Sequence, residues 1–409
     1  HQEGSQLEEA YNEQRIKGKT ILFLSCDESI GICSENPYAN KFRCKLCKKL
    51  QRRNFNKLLP FSRNQHFISE FISSDINDIL NSIQFDYKNI KELKLVRYKN
   101  VDIGYGAVST YVTLTRNLEA QVDHELKLYL DYILRSEVLL IEVINKLLLA
   151  HTPDKIIFHN GRFAQYRPLL NICQNNKIDY LCTEGILLNN GIVQKNNFYN
   201  CIPHKSSSYT QKMHDFWINN ESDHCNREII ARSFYENRRY GKFAGDTIYT
   251  KSQIQGLLPS NIQSDKEIIC IFNSSEDEYF SIDQELDDSC LYENSFVALR
   301  AIFNHYKNDR KKHFYVRIHP NLSQVKYNYH TRLYSLNYDN VTIINAKSNI
   351  STYSLIDIAS KVIVFESTVG IEAAYWKKPV ISLSQTLYSE LNIAYQPQSE
   401  IELWSLIDN

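Results

Sequence analysis

The stretch FYVRIHP (314–320), followed after a polar interval by LIDIASKVIVFESTVGIEAAYWKKPVISL (355–383), decides how the chain is read. Two short apolar runs, Phe314–Ile318 and Val362–Phe365, break off abruptly into polar residues. The first ends in Arg317, His319 and Pro320; the second in Glu366, Ser367, Thr368 and Gly370, with a helical pattern carrying Glu372 directly after. Parallel strands buried on both faces read as short continuous apolar runs. In open α/β sheets, ligands sit beyond the carboxyl ends of such strands. The stretch therefore reads as one wall of a ligand crevice.

Working outward, the same alternation extends through KEIICIFNSSEDEYF (266–280), SFVALRAIFNHYKN (295–308) and VTIINA (341–346), which predicts a parallel sheet flanked by helices. Upstream, DKIIFHNGRFAQYRPLLNICQNNKIDYLCTEG (154–185) reads as a second β–α–β unit. There Asn160, Gly161 and Arg162 end one strand, and Thr183, Glu184 and Gly185 end the next. The right-handed crossover rule makes these strands parallel neighbours. A first strand over 20–26 leads into Asp27, Glu28 and Gly31. Gly104 and Gly106 point to a loop on the acceptor side over 101–117, and 118–149 reads as at least two helices. Residues 186–260 read as short helices and linker.

With 409 residues, the chain exceeds the usual size of one core. We expect a polar extension over 1–19, a first domain over 20–255 and a second over 256–409, with a last helix free to pack back on the first domain. Polar SQIQGLLPSNIQSD (252–265) supplies the boundary. The composition, 43% hydrophobic and 23% charged, is that of a soluble globular protein. A formal net charge of zero argues against wholesale nucleic-acid binding. No run reaches the roughly 18 apolar residues of a membrane span, and no secretory signal is legible at the polar N-terminus. The ten cysteines are read as reduced, in a cytoplasmic protein.

KFRCKLCKKLQRRNFNK (41–57) holds eight Lys or Arg in seventeen residues, with Phe42, Leu46, Leu50 and Phe55 interleaved. It reads either as a solvated helix face or as an amphipathic helix for an anionic membrane surface or acidic chain. Cys26, Cys33, Cys44 and Cys47 offer a zinc alternative of irregular spacing, against the plainer reading of incidental thiols.

Asn273-Ser274-Ser275, Arg317-Ile318-His319-Pro320 and Ser367-Thr368 all end strands, and Ser367, Thr368 and Gly370 precede a helix start that favours an anion. Pro320 fixes the chain after His319. Together these suit a phosphate or diphosphate, with Glu372 placed to accept from ribose hydroxyls. No GxxxxGK[ST], GxGxxG or GxSxG occurs, which leaves P-loop, nicotinamide and hydrolase readings unsupported. No strand-end DxD of the metal-dependent transferase kind is present, and no metal or other cofactor is expected.

The ordered set of RIHP, STVGIEAAYWKKPV and SSE, with HNGRFAQYRPLL…YLCTEG upstream, resembles bacterial capsule-polysaccharide glycosyltransferases. These include the Kdo transferases of capsule and O-antigen (lipopolysaccharide) assembly and, more distantly, bacterial polysialyltransferases. The resemblance covers roughly 154–185 and 266–385. It implies a GT-B enzyme with two Rossmann-like domains of parallel strands facing a cleft, the donor nucleotide-sugar on the C-terminal domain and a glycan or lipid-linked acceptor on the other. By that likeness His319, Ser367 and Thr368 contact the donor phosphate, Ser274 and Ser275 lie nearby, and Glu184 is the general base. A strand-end carboxylate also meets the physical need for a positioned base. Asp27 and Glu28 are its rivals, and Arg162 is placed to hold an anionic sugar or departing phosphate. Thr183 stands where the polysialyltransferase pattern has a further acidic residue, which counts against sialic acid. The expected activity is metal-independent transfer of a sugar, foremost Kdo or a related ulosonic acid from a CMP-activated donor. The alternatives are a polyol-phosphate transferase of the teichoic-acid type and a non-catalytic binding subunit of capsule assembly.

Overall fold

The computed structural model describes residues 2–57, 64–187, 193–219, 224–242 and 249–409. The chain divides into two compact units: 1–203 with 280–282, and 204–279 with 283–409. The division falls after Pro203, and the polar region that follows groups with the second unit.

In the first unit, β1 (Phe23–Ser25) pairs in parallel with β2 (Gln65–Phe67), and β3 (Arg97–Tyr98) forms a small antiparallel ribbon with β4 (Val101–Asp102). The first strand is thus shorter than the apolar run 20–26 implied. The expected β–α–β unit is present: β5 (Lys155–His159), a helix Arg167–Asn176, and β6 (Asp179–Leu187) parallel to β5. β6 does not end at Glu184. It runs on to pair antiparallel with β7 (Val193–Tyr199), a strand the sequence reading had assigned to mixed polar chain.

Two helices differ from expectation. Residues 104–115 form a buried helix, not an acceptor-side loop. A Cβ on Gly104 would lie 2.6 Å from the Lys94 carbonyl oxygen, so that glycine serves close packing, not a turn. Residues 124–150 form one continuous helix. Asp123 starts it by accepting from the Leu126 N–H. Leu130, Ile133, Leu134, Val138, Ile141 and Ile144 give it an unbroken buried stripe at helical spacing.

The second unit contains a five-stranded, wholly parallel sheet: β8 (Glu267–Phe272), β9 (Lys312–Arg317), β10 (Val341–Ile344), β11 (Lys361–Val364) and β12 (Val380–Ser382). Their order across the sheet is β10-β9-β8-β11-β12. The chain therefore winds outward from β8 in one direction, then returns and winds out in the other from β11. This is a doubly wound α/β sheet, and it places the point of reversal between β8 and β11. Cys270, Phe272, Tyr315, Val362, Val364 and Val380 pack with Leu355 and Ile356 in one buried cluster. Crossover helices begin where a side chain supplies the missing acceptor: Asn294 accepts from Val297 N–H, and Ser351 from Ser354 N–H.

The C-terminal helix, Glu400–Asp408, groups with the second unit. There Lys361 Nζ donates to the Ile407 carbonyl (2.6 Å) and Trp404 stacks on His305 (4.2 Å).

Candidate functional site

A cleft of about 670 Å³, open solvent included, lies at the carboxyl end of the second unit's sheet. Phe272 and Asn273 line it from the end of β8, and Arg317, His319 and Pro320 from β9. Ser367, Thr368, Val369 and Glu372 follow β11, and Thr352 and Tyr353 open the helix after β10. The cleft therefore includes both strands at the reversal point, the position where open α/β sheets bind ligands.

Local geometry fixes each group. The His319 backbone N–H donates to Asn273 Oδ1 (2.8 Å), joining the ends of β8 and β9. His319 Nδ1 accepts from the Asn321 N–H (3.2 Å), which leaves the ring's mobile proton on Nε2 when it is neutral. Tyr249 meets the imidazole edge to face at 4.8 Å. Glu366 turns the chain after β11 with φ of 47°, a left-handed conformation uncommon for a non-glycine residue and held by its N–H donating to Ser384 Oγ (2.7 Å). Ser367 and Thr368 stand directly after that turn.

Arg317 is 3% exposed. Its two terminal nitrogens donate to the carbonyls of Asn345 (2.5 Å) and Ser348 (2.9 Å), tying β9 to the loop after β10. Burial pulls its pKa down to about 10, so it remains charged at neutral pH. Its Nε has no hydrogen-bond partner among the described residues. The same holds for Asn273 Nδ2 and Gln253 Nε2. All three are buried donors in residues that line the cleft.

Not every candidate lies there. Ser274 and Ser275 follow Asn273 but do not line the cleft. Ser275 Oγ donates to Asp277 (2.6 Å) and accepts from Asn321. Gly370 is also set back. A Cβ there would overlap the Tyr388 hydroxyl, which donates to the Ser367 carbonyl (2.6 Å), so the glycine lets that brace reach the turn. Glu372 lines the cleft, but its Oε1 accepts from Arg238 (3.0 Å) and its Oε2 from the Tyr353 hydroxyl. Its charge is spent on holding Arg238.

Sequence reasoning missed Arg238, Lys242, Tyr249, Thr250 and Gln253, which line the cleft from the region read as linker. The helix His224–Arg239 brings the first of them, fastened by the Arg238–Glu372 and Arg239–Asp357 ion pairs and by Tyr235 stacked on Tyr375 at 3.9 Å. The one sequence signal was a helical pattern ending in a basic pair, Arg238-Arg239. Among the described residues the cleft thus has three cationic side chains, Arg238, Lys242 and Arg317, against one carboxylate, Glu372. It suits an anion.

In the first unit, the ends of β5 and β6 bring Asn160 and Glu184 together. Asn160 takes a left-handed φ of 56°, its N–H donates to the Thr183 carbonyl (3.1 Å), and its Nδ2 donates to Glu184 Oε1. Asn160 Oδ1 accepts from the Arg162 N–H (3.2 Å). Gly161 has φ of 83°, and a Cβ there would lie 2.9 Å from Ile202 Cγ2, so the turn requires glycine. Glu184 sits one residue past the β5 pairing and faces Asn196 in β7, with Gly185 next to it. Burial raises its pKa, opposed by the Asn160 hydrogen bond and the Arg162 charge. His159 Nε2 lies 3.9 Å from Glu184 Oε2, and burial lowers its pKa to about 4, which makes it a neutral neighbour. Arg162 donates to Thr113 Oγ1 (3.3 Å).

The rival carboxylates have structural partners. Asp27 accepts from Ser29 Oγ (2.6 Å) and Ser69 Oγ; burial works against its ionisation, but these hydrogen bonds outweigh it and lower the pKa. Glu28 is 3.8 Å from Lys48. Among the described residues no group of three or more His, Cys, Asp or Glu is arranged to hold a metal ion, so Cys26, Cys33, Cys44 and Cys47 form no ligand set. Cys44 accepts from Asn36 (3.0 Å), and burial pushes the Cys33 thiol up to about 11.

Residues 41–57 are a helix. It is seated by Phe55, which is buried and meets Phe23 edge to face at 5.1 Å. Phe42, Leu46 and Leu50, four residues apart, are 76%, 48% and 46% exposed on the opposite side, among the lysines and arginines. No helix among the described residues is long and apolar enough to cross a membrane.

A family model described as capsule polysaccharide biosynthesis protein matches residues 176–405, more than half of the chain. The chain belongs to this family. No curated protein matches it. Among solved structures, this family member is similar to KpsC beta Kdo 2,7 transferase of Thermosulfurimonas dismutans (16% identity, TM-score 0.36, covering 63% of this chain and 75% of that one). It is similar to the KpsC beta Kdo 2,4 transferase of the same organism (13%, 0.37, 60% and 74%). A third likeness is to a UDP-GlcNAc 2-epimerase from Neisseria meningitidis (13%, 0.28, 68% and 74%). Identities and scores this low carry no activity across.

Proposed function

We propose that this capsule polysaccharide biosynthesis protein is a glycosyltransferase of the GT-B kind, whose second unit binds an activated nucleotide-sugar. The observation that carries the reading is the cationic cleft at the reversal point of the parallel sheet, lined by Arg317, His319, Ser367 and Thr368. Phosphate oxygens would accept from these groups, and Arg317 and Lys242 would neutralise the leaving phosphate without a bridging metal. The donor we favour is a CMP-linked ulosonic acid such as Kdo, because a monophosphate leaving group needs only such a site. Glu184 is assigned as general base for the acceptor hydroxyl of a surface or lipid-linked glycan. Its half-buried carboxyl, whose pKa burial raises above the ordinary carboxylate value, suits that role. The helix 41–57 would rest on an anionic membrane surface, with Phe42, Leu46 and Leu50 entering the interface.

The test is incubation with CMP-, CDP- and UDP-activated sugars, with and without a chelator, while free nucleotide is measured. Release from a CMP-sugar that persists in chelator is expected. Complete loss on chelation would reject the metal-free mechanism, and release from none of the donors would reject the transferase.

A further inference from the structure

Two side-chain amides in the cleft have their orientation set by the backbone. The Gln253 carbonyl oxygen accepts from the Thr352 N–H (2.7 Å), and the Asn273 carbonyl oxygen accepts from the His319 N–H (2.8 Å). A backbone N–H can only donate, so neither amide can be turned around without leaving two donors face to face. Both NH₂ ends are therefore committed away from those backbone partners. Both nitrogens are buried, neither has a partner among the described residues, and both residues line the cleft. Asn273 is 2% exposed. A third buried donor without a partner, Arg317 Nε, belongs to the same lining. Buried donors of this kind are costly unless something accepts from them. Three in one cleft, with no buried acceptor in the same condition among the described residues that line it, define the chemistry of the occupant.

We infer that Asn273 and Gln253 are specificity-determining residues that read hydrogen-bond acceptors on the bound ligand: phosphoryl oxygens, or carbonyl and imine atoms of a pyrimidine base. Thr352 N–H and His319 N–H act as locks that hold each amide in its donor sense. The site rejects a ligand that presents N–H or O–H at these two points. This deepens the nucleotide-sugar reading and rests on it for the identity of the ligand, though not for the polarity of the site.

The test uses Asn273→Asp and Gln253→Glu in the full chain. Each keeps the shape and the oxygen that accepts from the backbone, and replaces the donor with an acceptor. Binding of CMP, cytidine and inorganic phosphate is measured calorimetrically, with the thermal midpoint recorded alongside. Wild type should bind CMP, and each variant should bind it at least about tenfold more weakly with an unchanged midpoint, as expected when a buried hydrogen bond is replaced by an unpaired acceptor. Should a midpoint fall, Asn273→Ala and Gln253→Met replace that variant, each removing the donor without adding charge, and the same tenfold loss is required. Unchanged CMP affinity in the folded variants overturns the amide assignment and leaves the nucleotide reading standing. If wild type binds CMP no more tightly than phosphate and does not bind cytidine, the nucleotide reading falls, and the amide assignment stands only if the variants lose phosphate. Binding of none of the three probes overturns both.

Discussion

Gly370→Ala is the perturbation whose cost the structure specifies most fully. A Cβ at this position overlaps the Tyr388 hydroxyl and lies 3.0 Å from its Cζ and 3.1 Å from Val364 Cγ2, whereas carbon contacts are comfortable at about 3.5–4.0 Å. Val364 is fully buried in β11 and Tyr388 is 4% exposed, so the ring has little room to retreat. A shift of about 0.5–1 Å would stretch the 2.6 Å bond from Tyr388 to the Ser367 carbonyl to the edge of hydrogen-bond range. Overpacking costs about 1–3 kcal/mol, and loss of the hydrogen bond about 0.5–1.5 kcal/mol. The sum is about 2–4 kcal/mol, or roughly 4–16 °C in the thermal midpoint for a unit of this size. The mechanism is tested by a double-mutant cycle with Tyr388→Phe, which removes the overlapping hydroxyl. The double variant should be less destabilised than the sum of the single ones by at least about 1 kcal/mol. Thermal unfolding of the four proteins measures this. Additive effects would refute the account of Gly370 as the residue that admits the Tyr388 brace.

Other consequences are as direct. Glu184→Gln should lower turnover by about 10²-fold or more while leaving nucleotide affinity nearly intact; wild-type turnover would remove Glu184 from the reaction. Because burial raises the Glu184 pKa, the active carboxylate forms only as pH rises through that raised value, so wild-type turnover should fall on the acid side and the residual activity of the Gln variant should lack that limb. Glu137 is fully buried, has no hydrogen-bond partner among the described residues, and has its pKa raised well above the usual range, first by burial and then by Asp102. Its folded form therefore holds a proton that the unfolded chain releases, so its contribution is present below the unfolded pKa and is lost as pH rises toward the folded one. Glu137→Gln should accordingly gain stability relative to wild type as pH rises, read from thermal midpoints across a pH series; a constant difference would contradict this. Vesicles rich in anionic lipid should co-sediment with the protein and neutral ones should not, and Lys49→Glu with Arg53→Glu should abolish the binding; equal binding to both vesicle types would count against helix 41–57 as a membrane-surface element.

The second unit was legible because its strands are buried on both faces: IICIF, FYVRI and VIVF can be nothing but short apolar runs, and each breaks where the sheet ends. The helix 104–115 was misread because Gly104 and Gly106 look like loop residues, while the packing that demands them, against Lys94 and Glu137, lies elsewhere in the chain. Likewise the helix from His124 runs unbroken for 27 residues because its apolar stripe continues past Glu137 and Glu142, which are themselves buried. The cleft's strand-end residues could be named from sequence since strand ends are marked by the loss of apolar character. Arg238, Lys242 and Gln253 could not, because their segment is polar throughout and their places are set by partners such as Glu372, 134 residues from Arg238. The sequence places Gly370 and Glu372 beside the donor, but it could not show that Gly370 packs against the Tyr388 hydroxyl or that Glu372 pairs with Arg238, because both partners come from distant segments.

The central claim is that the reversal point between β8 and β11 holds the donor nucleotide. A crystal of the full chain soaked separately with CMP and with UDP tests it most directly. The account predicts nucleotide density against Asn273, His319, Ser367 and Thr368, with CMP the better ordered of the two. Nucleotide bound elsewhere on the protein, with this cleft empty in both soaks, would contradict it.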